Sequence, residues 1–66
     1  MSIIAEKERL VRMFNGWCDR GCNLDSTDFI NRMWAVGQEA YPQYKDHQFD
    51  LMRLEYMIEM AEEETA

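Results

Sequence analysis

Cys18 and Cys22 stand in a C-x3-C spacing, and the chain's one histidine is His47. Thiolates two to four residues apart can open a structural zinc site, which needs a second pair of ligands to close the tetrahedron. That second pair would have to be His47 and an aspartate. Cys18, however, falls on the apolar arc of its own helix. The expectation is therefore two small buried or half-buried thiols, with no metal and no other cofactor.

Glu55, Glu59, Glu62 and Glu63 follow an i, i+4, i+7, i+8 spacing. Carboxylates so placed share one face of a helix. Di-iron bundles use such faces, but they add Glu-x-x-His motifs, and this chain has none. Two roles remain for the row. It is a solvated acidic face, or it docks a basic partner by imitating a series of phosphates. Catalysis would need a nucleophile, a base and an orienting carboxylate within reach of one another. His47 reads as lying beside Leu51 and Leu54 near the start of the third helix, and Ser26 reads as a capping-region residue. No enzyme is expected.

Three helices must position these groups. The first spans about 2–20. Ile3, Ile4, Leu10, Val11, Phe14, Trp17 and Cys18 form a wide apolar arc with Met13 at its edge, and Gly21 is placed to stop the helix in the left-handed conformation. Cys22 would then fold back on Trp17. The second spans about 25–40. Asp25 is its expected N-cap, and Leu24 and Phe29 fit a hydrophobic staple. Phe29, Ile30, Met33, Trp34, Val36, Gly37 and Ala40 share a face, and Gly37 with Ala40 makes a flat patch for close helix approach. Arg32, Gln38 and Glu39 point away.

Tyr41-Pro42 ends this helix, because proline disfavours the α conformation in the residue before it. The third helix begins at Pro42 or after Asp46 and covers about 44–64, with 62–66 fraying because adjacent carboxylates oppose the dipole at a helix C-terminus. It shows two apolar stripes. Leu51, Leu54, Ile58 and Ala61 lie on one side. Phe49, Met52, Tyr56 and Met60 lie roughly opposite. An ordinary surface helix shows one. The aliphatic stripe is the expected seam with the other helices, and the softer aromatic stripe is expected to face another chain.

Charge narrows the function. Lys and Arg number 7 against 13 Asp and Glu, for a net charge of −6 and a pI near 4.5. Residues 46–64 hold Asp46, Asp50 and five glutamates against Arg53 alone, which accounts for the whole excess. This opposes direct binding to nucleic acid or an anionic membrane. It also argues against a helix-turn-helix reader, whose recognition helix would be this acidic one. No apolar run approaches the length of a membrane span or a signal-peptide core. A cytoplasmic location, with reduced thiols rather than a disulfide, is expected.

The fold class expected is all-α, one domain over 1–66. It would be a small three-helix bundle or helical hairpin-like unit completed by homodimerisation, since short chains often gain stability by association. The function expected is a small acidic helical interaction module that regulates or inhibits another macromolecule. Phages and mobile elements encode chains of this size and charge, and a basic nucleic-acid-binding surface is a fitting target. A structural or assembly subunit is the alternative, and a Cys/His metal-binding module the second. The partner-binding residues expected are Phe49, Met52, Glu55, Tyr56, Glu59 and Met60, with Trp34 and Tyr41 as an exposed anchor pair.

Overall fold

Ser2 begins the first helix by accepting a hydrogen bond on Oγ from the Ala5 amide at 3.1 Å. This satisfies one of the donors that every helix start leaves open. A computed structural model describes residues 2–21 and 27–65 of the chain. Helix α1 runs Ile3–Asp19, α2 runs Thr27–Ala40, and α3 runs Leu51–Thr65, with a 3₁₀ turn at Pro42–Tyr44 between the last two. The described residues are all-helical, with no strand. Their radius of gyration, 10.9 Å, matches the ~10.8 Å of a compact chain of this length. No helix among them is long and apolar enough to cross a membrane.

At its far end α1 stops as the sequence requires. Gly21 takes φ +78° and its amide donates to the Cys18 carbonyl at 3.0 Å. Only glycine adopts that backbone without crowding a Cβ. The Arg20 guanidinium then lies 5.3 Å from the centre of the Phe29 ring, joining the end of α1 to the first turn of α2. The expected cap at Asp25, the Leu24–Phe29 staple, the Cys22–Trp17 contact and the capping role of Ser26 fall at 22–26, outside the described residues.

Leu10 and Trp17 of α1, Ile30, Met33, Trp34, Val36 and Ala40 of α2, Tyr41 beyond it, and Leu54, Met57, Ile58 and Ala61 of α3 form the core. The expected seam of α3 is therefore present, and Met57 joins it. Met57 is fully buried and sits directly over Gly37, where a Cβ would come within 2.7 Å of the Met57 sulfur. The flat patch read at Gly37 is thus occupied by a side chain of α3.

Several expectations are corrected. The arc of α1 is not buried throughout. Ile3, Ile4 and Cys18 are exposed. Ile4 and Cys18 lie roughly 80–120° around the helix from Leu10, beyond what two neighbouring helices cover, and Ile3 is at the free end. Glu6, roughly 40° from Leu10 on the other flank, is buried instead. Its Oε2 lies 3.8 Å from the Arg9 guanidinium and makes no hydrogen bond.

Helix α3 starts later than either expected point. Asp50 caps it, with Oδ1 accepting from the Met52 amide at 3.0 Å and its carbonyl accepting from the Leu54 amide at 3.0 Å. Upstream, the Gln38 side-chain amide lies 3.0 Å from each of the Tyr44, Lys45 and His47 carbonyls. The Tyr44 carbonyl also accepts from the His47 amide at 3.0 Å, so this stretch is held against α2 as a turn and not as the start of α3. Gln38 is accordingly half-buried and does not point away. His47 precedes α3, exposed, with its ring edge-on to Tyr44 at 5.2 Å.

The tail of α3 does not fray through 62–65. It stays helical to Thr65, whose hydroxyl donates to the Ala61 carbonyl at 2.8 Å. Glu64 pairs with Lys7 of α1 and accepts from the Tyr41 hydroxyl at 3.3 Å. The Lys7 ammonium lies 5.0 Å from the centre of the Tyr41 ring. These contacts anchor the last turn to α1 and to the residue that follows α2.

Candidate functional site

Two features expected of a binding face separate once the helices pack. Trp34 and Tyr41 are not an exposed pair: they are 7% and 5% exposed and belong to the core. Phe49, ahead of α3, covers part of Trp34, while Lys7 of α1 and Glu64 of α3 meet Tyr41. Phe49 keeps 46% of its surface exposed but stands edge-on to Trp34 at 5.7 Å. Met60 is half-buried against the core. Of the softer stripe, Met52 at 78% and Tyr56 at 54% are the side chains that project from α3.

The carboxylates lie on a different line. Leu51, Glu55, Ile58, Glu59 and Glu62 occupy the side of α3 that meets α1, and with Phe14 and Trp17 they line an open groove of about 520 Å³. Its size is within the range of ligand-binding clefts, roughly 300–1,000 Å³. The groove has two textures. Phe14, Trp17, Leu51 and Ile58 supply an apolar floor, on which the Phe14 and Trp17 rings pack 5.7 Å apart at 58°. Glu55, Glu59 and Glu62 are exposed and supply one acidic side.

No ion pair among the described residues neutralises that side. Among the described residues the ion pairs are Lys7–Glu64, Arg9–Glu6 and Arg32–Asp28. Sequence reading found Glu55 and Glu59 but missed Phe14 and Trp17 as their neighbours, because both belong to the apolar arc of α1 and read as core. The available signal was the width of that arc, larger than two helices can bury.

Away from the groove, Tyr41 and Glu64 perturb one another. Burial, and then the adjacent Glu64 carboxylate, push the Tyr41 hydroxyl up to about 12. Hydrogen bonding to Lys7 holds the Glu64 carboxyl below its ordinary value, against a weaker opposing effect of burial. Both groups are in a structural tie, not in a cleft.

The proposed Cys18, Cys22 and His47 ligands are not brought together as a site that can be described. Cys18 is exposed, and Cys22 lies outside the described residues. Among the described residues no three His, Cys, Asp or Glu side chains are grouped to hold a metal ion. What the fold and site define is a small three-helix all-α domain with an acidic, apolar-floored groove between its first and third helices. No protein-family model, no curated protein and no solved structure matches the chain.

Proposed function

We propose that this chain is a small acidic interaction protein that docks through α3 on the basic surface of another protein and regulates or blocks it. One observation carries this reading. Glu55, Glu59 and Glu62 form an exposed row beside an apolar groove, and no cation of the described chain pairs with them. Unpaired like charges along one helix face repel each other and destabilise it slightly. Their arrangement gains a favourable role when a partner brings the opposite charge.

Successive carboxylates rise about 6 Å and then about 4.5 Å along the helix axis. That regular spacing of negative charge suits a surface built to bind phosphates, so a nucleic-acid-binding protein is the favoured partner class. Met52 and Tyr56 add exposed apolar area next to the row, and tyrosine often anchors interfaces.

The test is capture of partners from the native host by the wild-type chain and by Glu55→Lys/Glu59→Lys, followed by mass spectrometry. A basic protein retained by the first and lost with the second is the expected result. Equal retention by both would leave the acidic row as solvated surface and sink the proposal. Light scattering on the same samples separates a partner complex from self-association.

A further inference from the structure

The geometry points to the α1–α3 groove as a seat for one amphipathic basic helix of a partner protein. In this seat an apolar side chain lies over the half-buried Phe14 and Leu51, with Trp17 and Ile58 beneath them, while Lys or Arg heads meet Glu55, Glu59 and Glu62. The inference rests on the acidic-docking reading above and names the surface and the class of segment that it takes. It shifts the contact from the outer Met52/Tyr56 side of α3 to its inner edge, and it brings α1 into the site.

Three observations converge. First, floor and side differ in chemistry as the two faces of an amphipathic helix do. Such helices are recognised through anchors at i, i+3/i+4 and i+7, laid in an apolar groove. Glu55, Glu59 and Glu62 repeat at i, i+4 and i+7 and extend about 10 Å along the axis, two turns of a helix lying alongside. Second, the charge on that side has no counterpart within the described chain.

Third, Trp17 is a groove residue only 6% exposed, and among the described residues its Nε1–H meets no acceptor. A buried indole donor without a partner is uncommon in a finished interface. Because Trp17 lines the groove, its indole N–H reports on whatever is seated there.

A second copy of this chain is a poorer occupant. Its own α3 would bring glutamates against glutamates. Its basic Lys7 and Arg9 already face Glu64 and Glu6. An acidic or neutral segment would leave the glutamates unpaired.

The experiment uses the full chain labelled with ¹⁵N and a synthetic Leu/Lys amphipathic peptide about fifteen residues long, enough to form a helix. A Leu/Glu peptide of the same pattern is the control. The expected result is a shift of the Trp17 indole N–H and of the Phe14, Glu55 and Glu59 amides with the Leu/Lys peptide only. In Glu55→Gln/Glu59→Gln/Glu62→Gln the affinity falls about tenfold, since each exposed charge pair contributes modestly. In Glu39→Gln, an exposed carboxylate of α2 outside the groove, it stays within about twofold.

Should the triple variant lose its fold, the salt dependence of binding to the wild-type chain replaces it. Affinity must then fall as salt screens the exposed charges. A silent Trp17 indole, shifts confined to Met52 and Tyr56, equal binding of the Leu/Glu peptide, or salt-independent binding would each overturn the assignment. If partner capture depends on Glu55 and Glu59 while Trp17 stays silent, the acidic-docking reading survives and the groove does not. If capture ignores both glutamates, both fail.

Discussion

The inner and outer sides of α3 are built from similar residues and have opposite fates. Leu54, Met57 and Ile58 are at most 1% exposed, whereas Met52 and Tyr56 keep more than half of their surface in water. Side-chain hydrophobicity does not separate the two groups. Position relative to α1 and α2 does. The difference shows that an apolar stripe establishes only that a residue can be buried. Whether it is buried depends on how many neighbours the fold can supply to one helix.

Truncation on each side should break or confirm this comparison most directly. Leu54→Ala should lower stability by about 3 kcal/mol, the transfer loss plus the cavity left behind. In a domain this small the total is only about 3–10 kcal/mol, so the variant sits close to unfolding. Tyr56→Ala on the same helix should change it by less than about 0.5 kcal/mol. Urea denaturation of the two variants measures both. Similar losses would mean that the outer side is covered in solution, by a second copy or by a different packing of α3.

The cap that fixes where both sides begin comes next. Asp50→Ala removes the acceptor for the Met52 amide and should lower stability by about 1 kcal/mol. Asp46→Ala should have no comparable effect, because Asp46 lies four residues upstream of that cap. A larger loss at Asp46 would restore the earlier helix start read from the sequence.

Glycines sharpen the inner contact. At Gly37 an added Cβ would meet the Met57 sulfur at 2.7 Å, while at Gly16 nothing beyond the helix comes nearer than the tip of Phe29 at 4.0 Å. Gly37→Ala should destabilise by about 1 kcal/mol, because overpacking outweighs the gain in helix propensity. Gly16→Ala should stabilise by up to about 1 kcal/mol. Thermal melts of the pair should move in opposite directions. A stabilised Gly37→Ala would show that the thioether of Met57 swings aside freely.

The smallest effects concern the tie that holds the end of α3. The Glu64 carboxyl is depressed in the folded chain, chiefly by its hydrogen bond to Lys7. Its stabilisation is therefore present above the ordinary carboxylate range and is lost as pH falls through the folded value. Tyr41 is shifted the other way, from 10.0 up to about 12, by burial and then by Glu64. Its stabilisation is complete below pH 10.0 and is lost as pH rises toward about 12. Urea midpoints of Glu64→Gln against wild type should differ most near neutrality and converge in acid. Those of Tyr41→Phe should approach wild type in strong base. A difference independent of pH would remove the ion pair from the account.

Much of the fold was legible because helices announce themselves locally. The spacing of Ile30, Met33, Trp34 and Gly37 identified the inner face of α2, and Gly21 marked the end of α1. Met57 could have been found too, since it lies three residues after buried Leu54 and four before buried Ala61. What failed was the attempt to rank apolar residues by exposure. Trp34 and Tyr41 stand at the edge of their face and are buried, whereas Cys18 and Ile4 belong to an apolar arc and are exposed, since a single helix wheel has no information on which neighbours arrive at its edges. The start of α3 was missed for a related reason. The Gln38 side chain that draws the Tyr44, Lys45 and His47 carbonyls aside is remote from them in sequence.

The sequence by itself determined an all-helical chain, the faces that could be buried and a concentration of negative charge near its end. Those properties follow from backbone propensity, from a fixed angle per residue and from residue charge, all of which are local. Tertiary structure alone decided that the acidic row of α3 borders Phe14 and Trp17, and that Glu64 and not Glu55 or Glu59 pairs with Lys7. These outcomes depend on the angle and offset at which α1 meets α3. Side chains distant in the chain set that geometry through close packing, and it appears in no short stretch of residues.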